Sequence, residues 1–153
     1  PQGRIHGLVV GSGELYEEAR RVAKANAVPL TFTGFLNQTE IGCAYAAADA
    51  LVLPSDWGET WGLVVNEAML FGLPAIVSDR VGSGPDLVSE GETGFVVPYA
   101  RPDVLAERIC ELALDDAQRR LLGEKAYARV LDYSPRRGAR ATLIAAAIAS
   151  GSG

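Results

Sequence analysis

Five short, almost wholly apolar runs punctuate this chain, and their spacing limits what it can become. Ile5–Val10 (IHGLVV), Leu30–Thr33 (LTFT), Ala50–Leu53 (ALVL), Ala75–Ser78 (AIVS) and Gly94–Val97 (GFVV) read as strands. Helical stretches lie between them, at Glu14–Asn26, Thr39–Ala48 and Trp61–Phe71, with a short one from Pro85. Three more follow, at Pro102–Leu114, Ala117–Leu131 and Pro135–Ala149. A strand that is apolar on both faces must be covered on both, and strands joined through helices run parallel. The pattern therefore predicts an α/β domain: a parallel sheet of about five strands, with helices on both faces.

With 153 residues the chain holds one domain with a real core. We assign it residues 1–149, and Ser150-Gly151-Ser152-Gly153 reads as a flexible tail. Acidic residues outnumber basic ones, 19 to 14, for a net charge of −5. Without a clustered basic patch, nucleic acid and anionic membranes are not expected partners. Cys43 and Cys110 belong to no spaced motif and read as two buried thiols in a reducing, cytoplasmic setting. The lone histidine, His6, reads as a strand residue, so no structural zinc site is expected. No apolar run reaches the ~18–20 residues that a transmembrane helix needs.

In parallel sheets of this kind, ligands bind beyond the carboxyl ends of the strands. Gly11-Ser12-Gly13 follows the first strand, but Tyr16 stands where a dinucleotide fingerprint needs its third glycine. The loop is either a tight turn or a phosphate-facing one. Gly82-Ser83-Gly84-Pro85-Asp86 opens a short helix, and its amides form a candidate anion-binding concavity. Arg80, on the same rim, reads as a solvated loop charge.

Glu59–Phe71 (ETWGLVVNEAMLF) carries most of the chemistry. Glu67 has Leu63, Val64, Leu70 and Phe71 three and four positions away, so its carboxylate is set in an apolar face. The helix is apolar around most of its turn, which predicts a buried one. A carboxylate there needs a partner, either a ligand or a core donor. No capping box occupies the amides near Thr60, and Gly62 lets another group approach. The open helix N-terminus suits a phosphate or hydroxyl oxygens. Helical side chains lean toward the N-terminus, which carries Glu67 back toward such a ligand. Two acids, at the mouth and partway down, suit two hydroxylated groups joined by a diphosphate.

ETWGLVVNEAMLFGLPAIVSDRVGSGPDLVSEGETGFVVP resembles the nucleotide-sugar-binding domain of GT-B, family 4 retaining glycosyltransferases. VVGSGEL, LTFTGFLNQTEI, AYAAADALVLPS and Asp132-Tyr133-Ser134 extend the resemblance over nearly the whole chain. It implies a Rossmann-like domain, one half of a GT-B fold, that binds a nucleoside-diphosphate sugar and passes the sugar to an acceptor with retention. The family's E-x7-E motif falls on Glu59 and Glu67. The resemblance implies that Glu59 is the catalytic-site acid touching the donor sugar. Amides of the turn Thr60, Trp61, Gly62, Leu63 and Val64 reach sugar and diphosphate, and Glu67 accepts from the ribose hydroxyls. The base lies against Phe35-Leu36, with Gln38 nearby. No metal or other cofactor is implied.

The resemblance also expects elements that this stretch does not contain: an acceptor domain, and a strand–loop–helix bearing an Arg and a Lys for the diphosphate. That strand belongs between Ile5–Val10 and Ala50–Leu53, so an open sheet edge is expected, met either by a rearranged sheet or by association with a second copy. Two competing classes share the layering: a non-catalytic nucleotide- or protein-binding module, and a flavodoxin-like interaction domain. The latter has no need of an acid pair on a buried helix.

Overall fold

The computed structural model describes residues 5–151. The first four residues of the expected domain, and Ser152 and Gly153 of the expected tail, lie outside the described residues. In chain order the elements are β1 (Gly7–Val10), α1 (Tyr16–Ala25), β2 (Leu30–Gly34), α2 (Ile41–Ala47) and β3 (Leu51–Leu53). They continue with α3 (Leu63–Leu70), β4 (Ala75–Ser78), α4 (Gly84–Leu87), β5 (Gly94–Val97), α5 (Pro102–Leu114) and α6 (Asp116–Val130). A 3-10 turn (Leu131–Tyr133) and α7 (Pro135–Ala149) close the chain. Ser150 is the C-cap of α7, its amide bonded to the Ala146 carbonyl.

The first three helices each begin two residues later than their apolar patterns, because their opening residues are engaged in other ways. The Tyr16 amide is taken by the Gly13 carbonyl. Before α2, the Asn37 side chain accepts from the amide and hydroxyl of Thr39, while Glu40 accepts from the Asn37 amide. The Glu40 bond is the returning half of a capping box, and the Asn37 bond to Thr39 is an Asx turn. α3 starts at Leu63 because Gly62 is left-handed, at φ 85°.

All strand pairs are parallel, as the nearly all-apolar runs predict. They form two sheets instead of one: β1 pairs β2, and β3-β4-β5 forms a second set. The five expected strands are present, and the sheet is divided at the open edge that the resemblance implies. β1 and β3 have no ladder between them, and the break falls where the resemblance places a further strand.

The described core centres on β4, buried along its whole length. Alternate residues face opposite layers, as the strand period demands. Ala75 and Val77 pack with Val65 and Met69 of α3, Leu87 of α4, and Ala126 and Val130 of α6. Ile76 turns the other way, onto Phe95, Val97, Leu112 of α5 and Leu122 of α6. Helices thus cover both faces of the three-stranded sheet. A smaller cluster of Tyr45, Ala68 and Leu73 joins α2 to α3. β1 and β2 contribute no buried residue. Cys43 is exposed and Cys110 half-buried, which corrects the expectation of two buried thiols. Cys43 lies on α2 away from the Tyr45 face. Among the described residues no helix is long and apolar enough to cross a membrane.

The loops beyond β3 and β4 are packed backbone to backbone. The Ser83 amide donates to the Trp61 carbonyl at 2.9 Å. At Gly82 a Cβ would stand 1.9 Å from the Thr60 carbonyl oxygen, so only glycine allows this approach. The far end of the same loop is pinned to α6: Arg129 Nε and Nη2 donate to the Asp86 carbonyl at 2.9 and 2.6 Å. Tyr133 donates its hydroxyl to Asp86 as well. We predict that Gly82→Ala destabilises the chain by about 1–3 kcal/mol, the range for overpacking. An unfolding midpoint in urea equal to the parent's would contradict that close contact.

Candidate functional site

The candidate site is the mouth of α3, shaped by the loop that precedes it. Asp56 begins that loop with its carboxylate accepting from the Gly58 amide at 2.9 Å, an Asx turn. The chain then reaches Glu59, which is half-buried. The Cβ direction of Gly62 is crowded by Val81 at 3.1 Å, Leu53 at 3.2 Å and Glu59 Cγ at 3.5 Å. Glu59 therefore folds back over Gly62, against the opening of the helix. Among the described residues its carboxylate has no hydrogen-bond or ion-pair partner.

Trp61 is fixed from three sides. Its indole donates to Asn66 Oδ1 at 2.8 Å, its ring lies 6.4 Å from that of Tyr133, and its carbonyl takes the Ser83 amide. With Trp61 held and Gly62 left-handed, the amides of Gly62, Leu63 and Val64 open the helix without a side-chain cap. Val65 is the first to find an acceptor, the Gly62 carbonyl at 2.9 Å. The three preceding amides have none among the described residues. They carry the partial positive charge of the helix dipole.

Glu67 stands four residues beyond Leu63, about 6 Å along the axis at 1.5 Å per residue. Its setting differs from the expected one in two respects. The helix is buried on one side only: Val65, Ala68 and Met69 are enclosed, whereas Leu63, Leu70 and Phe71 are 68%, 51% and 48% exposed. Glu67 itself is half-buried. Its carboxylate also has a core donor, the hydroxyl of Tyr45, at 2.8 Å from Oε2. Burial alone does not make Glu67 require a ligand. Oε1 remains without a partner among the described residues. Burial raises the Tyr45 phenol well above its ordinary value of 10.0, and the bond to Glu67 and its charge add to the shift.

The other expected contacts are spread along the rim. Phe35 is 77% exposed and Gln38 is exposed. Leu36 lines a shallow apolar groove against α2, with Leu8 and Ala44 among its neighbours. No hydrogen bond or ring contact joins Leu36 or Gln38 to α3 among the described residues. Thr60 is exposed, and Val64 is half-buried. At Gly11-Ser12-Gly13 the Gly11 amide bonds the Gly34 carbonyl at 2.8 Å, and Ser12 and Gly13 are exposed.

Two expectations about the Asp79–Asp86 loop are corrected. Gly82–Asp86 is not an open anion concavity, because the amides of Ser83, Gly84 and Asp86 are taken by the carbonyls of Trp61, Val81 and Ser83. The loop buttresses Thr60 and Trp61 instead. Arg80 is not a freely solvated charge. Its guanidinium carbon lies 3.7 Å from the Trp57 ring centroid, and Nε lies 3.4 Å from the Asp79 carboxylate.

Tyr45, Asn66 and Tyr133 were not singled out as site residues in the sequence. Tyr45 did leave a signal, as the one hydroxyl in the Ala-rich stretch AYAAADA, where a buried phenol needs an acceptor. The Trp61–Asn66 and Tyr133–Asp86 bonds join residues with no shared pattern.

The sequence profile described as "Glycosyl transferases group 1" matches residues 2–129. The chain is 36% identical over 129 residues to sulfoquinovosyl transferase SQD2 of Arabidopsis thaliana, covering 82% of this chain and 24% of that protein. Among solved structures, sucrose-phosphate synthase of Thermosynechococcus elongatus superposes with a TM-score of 0.75 at 30% identity, over 94% of this chain and 38% of that one. HepE of Anabaena, solved with UDP-glucose, superposes at 0.73 and 24% identity, over 85% and 36%, and supports the fold alone. The chain thus spans about a quarter of the length of the curated relatives it matches. The match over residues 2–129 shows that the chain belongs to the group 1 glycosyl transferase family.

Proposed function

We propose that this chain is the donor-binding domain of a retaining glycosyltransferase that takes its sugar from a nucleoside diphosphate. The observation that carries the reading is the mouth of α3. Three amides without acceptors lie between Glu59, whose carboxylate is unpartnered, and Glu67, which keeps one oxygen open. A nucleoside-diphosphate sugar has a matching order of groups: sugar hydroxyls, two phosphates, then ribose hydroxyls. The relatives' names, a sulfoquinovosyl transferase and a sucrose-phosphate synthase, support a sugar donor, and HepE was solved with UDP-glucose.

On this reading Glu59 accepts from the donor sugar's hydroxyls. The amides of Trp61, Gly62, Leu63 and Val64 meet the sugar and the diphosphate, and Glu67 accepts from ribose. The base rests on the loop of Phe35, Leu36 and Gln38. In the transfer step the bond from the anomeric carbon to the diphosphate oxygen breaks. A bond from that carbon to the acceptor oxygen forms on the same face, and the acceptor's proton passes to the departing diphosphate oxygen. The negative charge that grows on the departing diphosphate is met by the helix amides and dipole, without a metal.

Catalysis also needs an acceptor held against the sugar and cations at the diphosphate. Arg80 is engaged by Trp57 and Asp79, and the relatives are far longer than this chain. We therefore expect these 153 residues alone to bind a donor more weakly than micromolar and to transfer no sugar. The unpaired edges of β1 and β3 should favour association with a second copy. A transferase assay and light scattering on the purified chain check both expectations. Efficient turnover contradicts the first, and a monomer at all concentrations contradicts the second.

The acid roles separate in calorimetry. Glu67→Gln should weaken nucleoside-diphosphate binding by about 1.5–3 kcal/mol, the range for hydrogen bonds to a charged group, with the fold intact. Equal affinity in parent and variant removes ribose from Glu67. Glu59→Ala should lower affinity for the nucleotide sugar and spare the bare diphosphate. A matching loss for both ligands would move Glu59 to a structural role.

A further inference from the structure

We infer that Tyr45 is a positioning residue for ribose recognition, its hydroxyl fixing the Glu67 carboxylate so that Oε1 faces the ligand side of α3. The inference rests on the assignment of ribose to Glu67 and adds a residue that acts through it. A glutamate has three side-chain torsions, and on a half-exposed helix face it does not hold one orientation unaided. Here Oε2 accepts from the Tyr45 hydroxyl at 2.8 Å. A carboxylate has about four lone-pair sites, so one phenol leaves Oε1 and part of Oε2 open to hydroxyl donors.

The phenol can orient a neighbour because it is itself immobile. Tyr45 is 8% exposed, packs with Ala68 and Leu73, and meets the Phe71 ring at a 36° tilt with ring centroids 5.4 Å apart. The Phe71 ring continues onto Gly42 of α2, at 3.5 Å from where a Cβ would stand. The clamp therefore spans α2 and α3, and α2 follows directly on the loop assigned to the base. A phenol whose proton affinity is raised by burial stays a donor throughout the neutral range. A merely structural bond would look the same in the unliganded chain, so the test has to read ribose itself.

Calorimetry with UDP, GDP and ADP, each beside its 2′-deoxy counterpart, provides that reading. The parent should prefer the ribose form of whichever base binds best. In Tyr45→Phe, which keeps the ring, the ribose form should lose roughly tenfold in affinity and the deoxy form much less, so the preference shrinks. Adding Tyr45→Phe to Glu67→Gln should cost little more, because both remove one interaction. An equal loss for ribose and deoxy forms makes Tyr45 structural and overturns the inference, as does no loss at all. A preference that survives in Glu67→Gln, or a parent that binds none of the six ligands, overturns the underlying ribose assignment. A preference lost in Glu67→Gln but kept in Tyr45→Phe sinks the positioning role alone. Should Tyr45→Phe fail to fold, Phe71→Ala loosens the same ring from a half-exposed position. An unchanged ribose preference there overturns the inference.

Discussion

The candidate site hangs on one backbone contact: the loop after β4 lies flat against the turn before α3. Gly82 meets the Thr60 carbonyl with no room for a side chain, and the next amide bonds the Trp61 carbonyl. With Thr60 and Trp61 held from that side, Gly62 is free to turn left-handed and leave the first helix amides open. The opposing side is held by Trp61's own indole, bonded to Asn66 one turn into the helix. Any group that uses those amides inherits its position from β4, the most deeply buried strand. The site is soft in its side chains and stiff in its backbone, which suits recognition through amides.

Much of this was legible from residue order. Strand positions could be read because runs such as ALVL and GFVV are apolar at every position, a pattern that few other elements produce. Glu59 and Glu67 could be read because one stands at a helix mouth and the other on an apolar face. The surroundings of Glu67 could not. Whether Leu63, Leu70 and Phe71 are covered depends on what packs over them, and hydrophobicity says only that covering would be favourable. Nor could Tyr45 be paired with Glu67, since 22 residues separate them and helix α2 must first dock on α3. Arg80 was misread for a related reason: a loop arginine looks solvated until the fold brings Trp57 beneath it.

The split between β1–β2 and β3–β5 shows a similar division of labour. The three-stranded sheet has helices on both faces and holds most of the described core. The two-stranded sheet has half-exposed side chains throughout, with Ala23 the one buried residue of the helix beside it. Burial of apolar area is the main stabilising term in a domain of this size, so the two parts differ in cohesion. The acid pair and the open amides sit on the cohesive part, and the loop assigned to the base sits on the other. The Tyr45 phenol ties α2, the helix that follows the loop assigned to the base, to α3.

The chain has two tryptophans, and both lie in the loop that leads into α3. Trp57 is 76% exposed beneath a guanidinium, whereas Trp61 is half-buried, bonded to Asn66 and close to Tyr133. Tryptophan fluorescence, which in most proteins averages over distant places, here comes from the loop that carries Glu59 and leads into the helix of Glu67. The molecule carries its own optical probe, with one fluorophore in water and one against the protein, at the place where a ligand is expected to arrive.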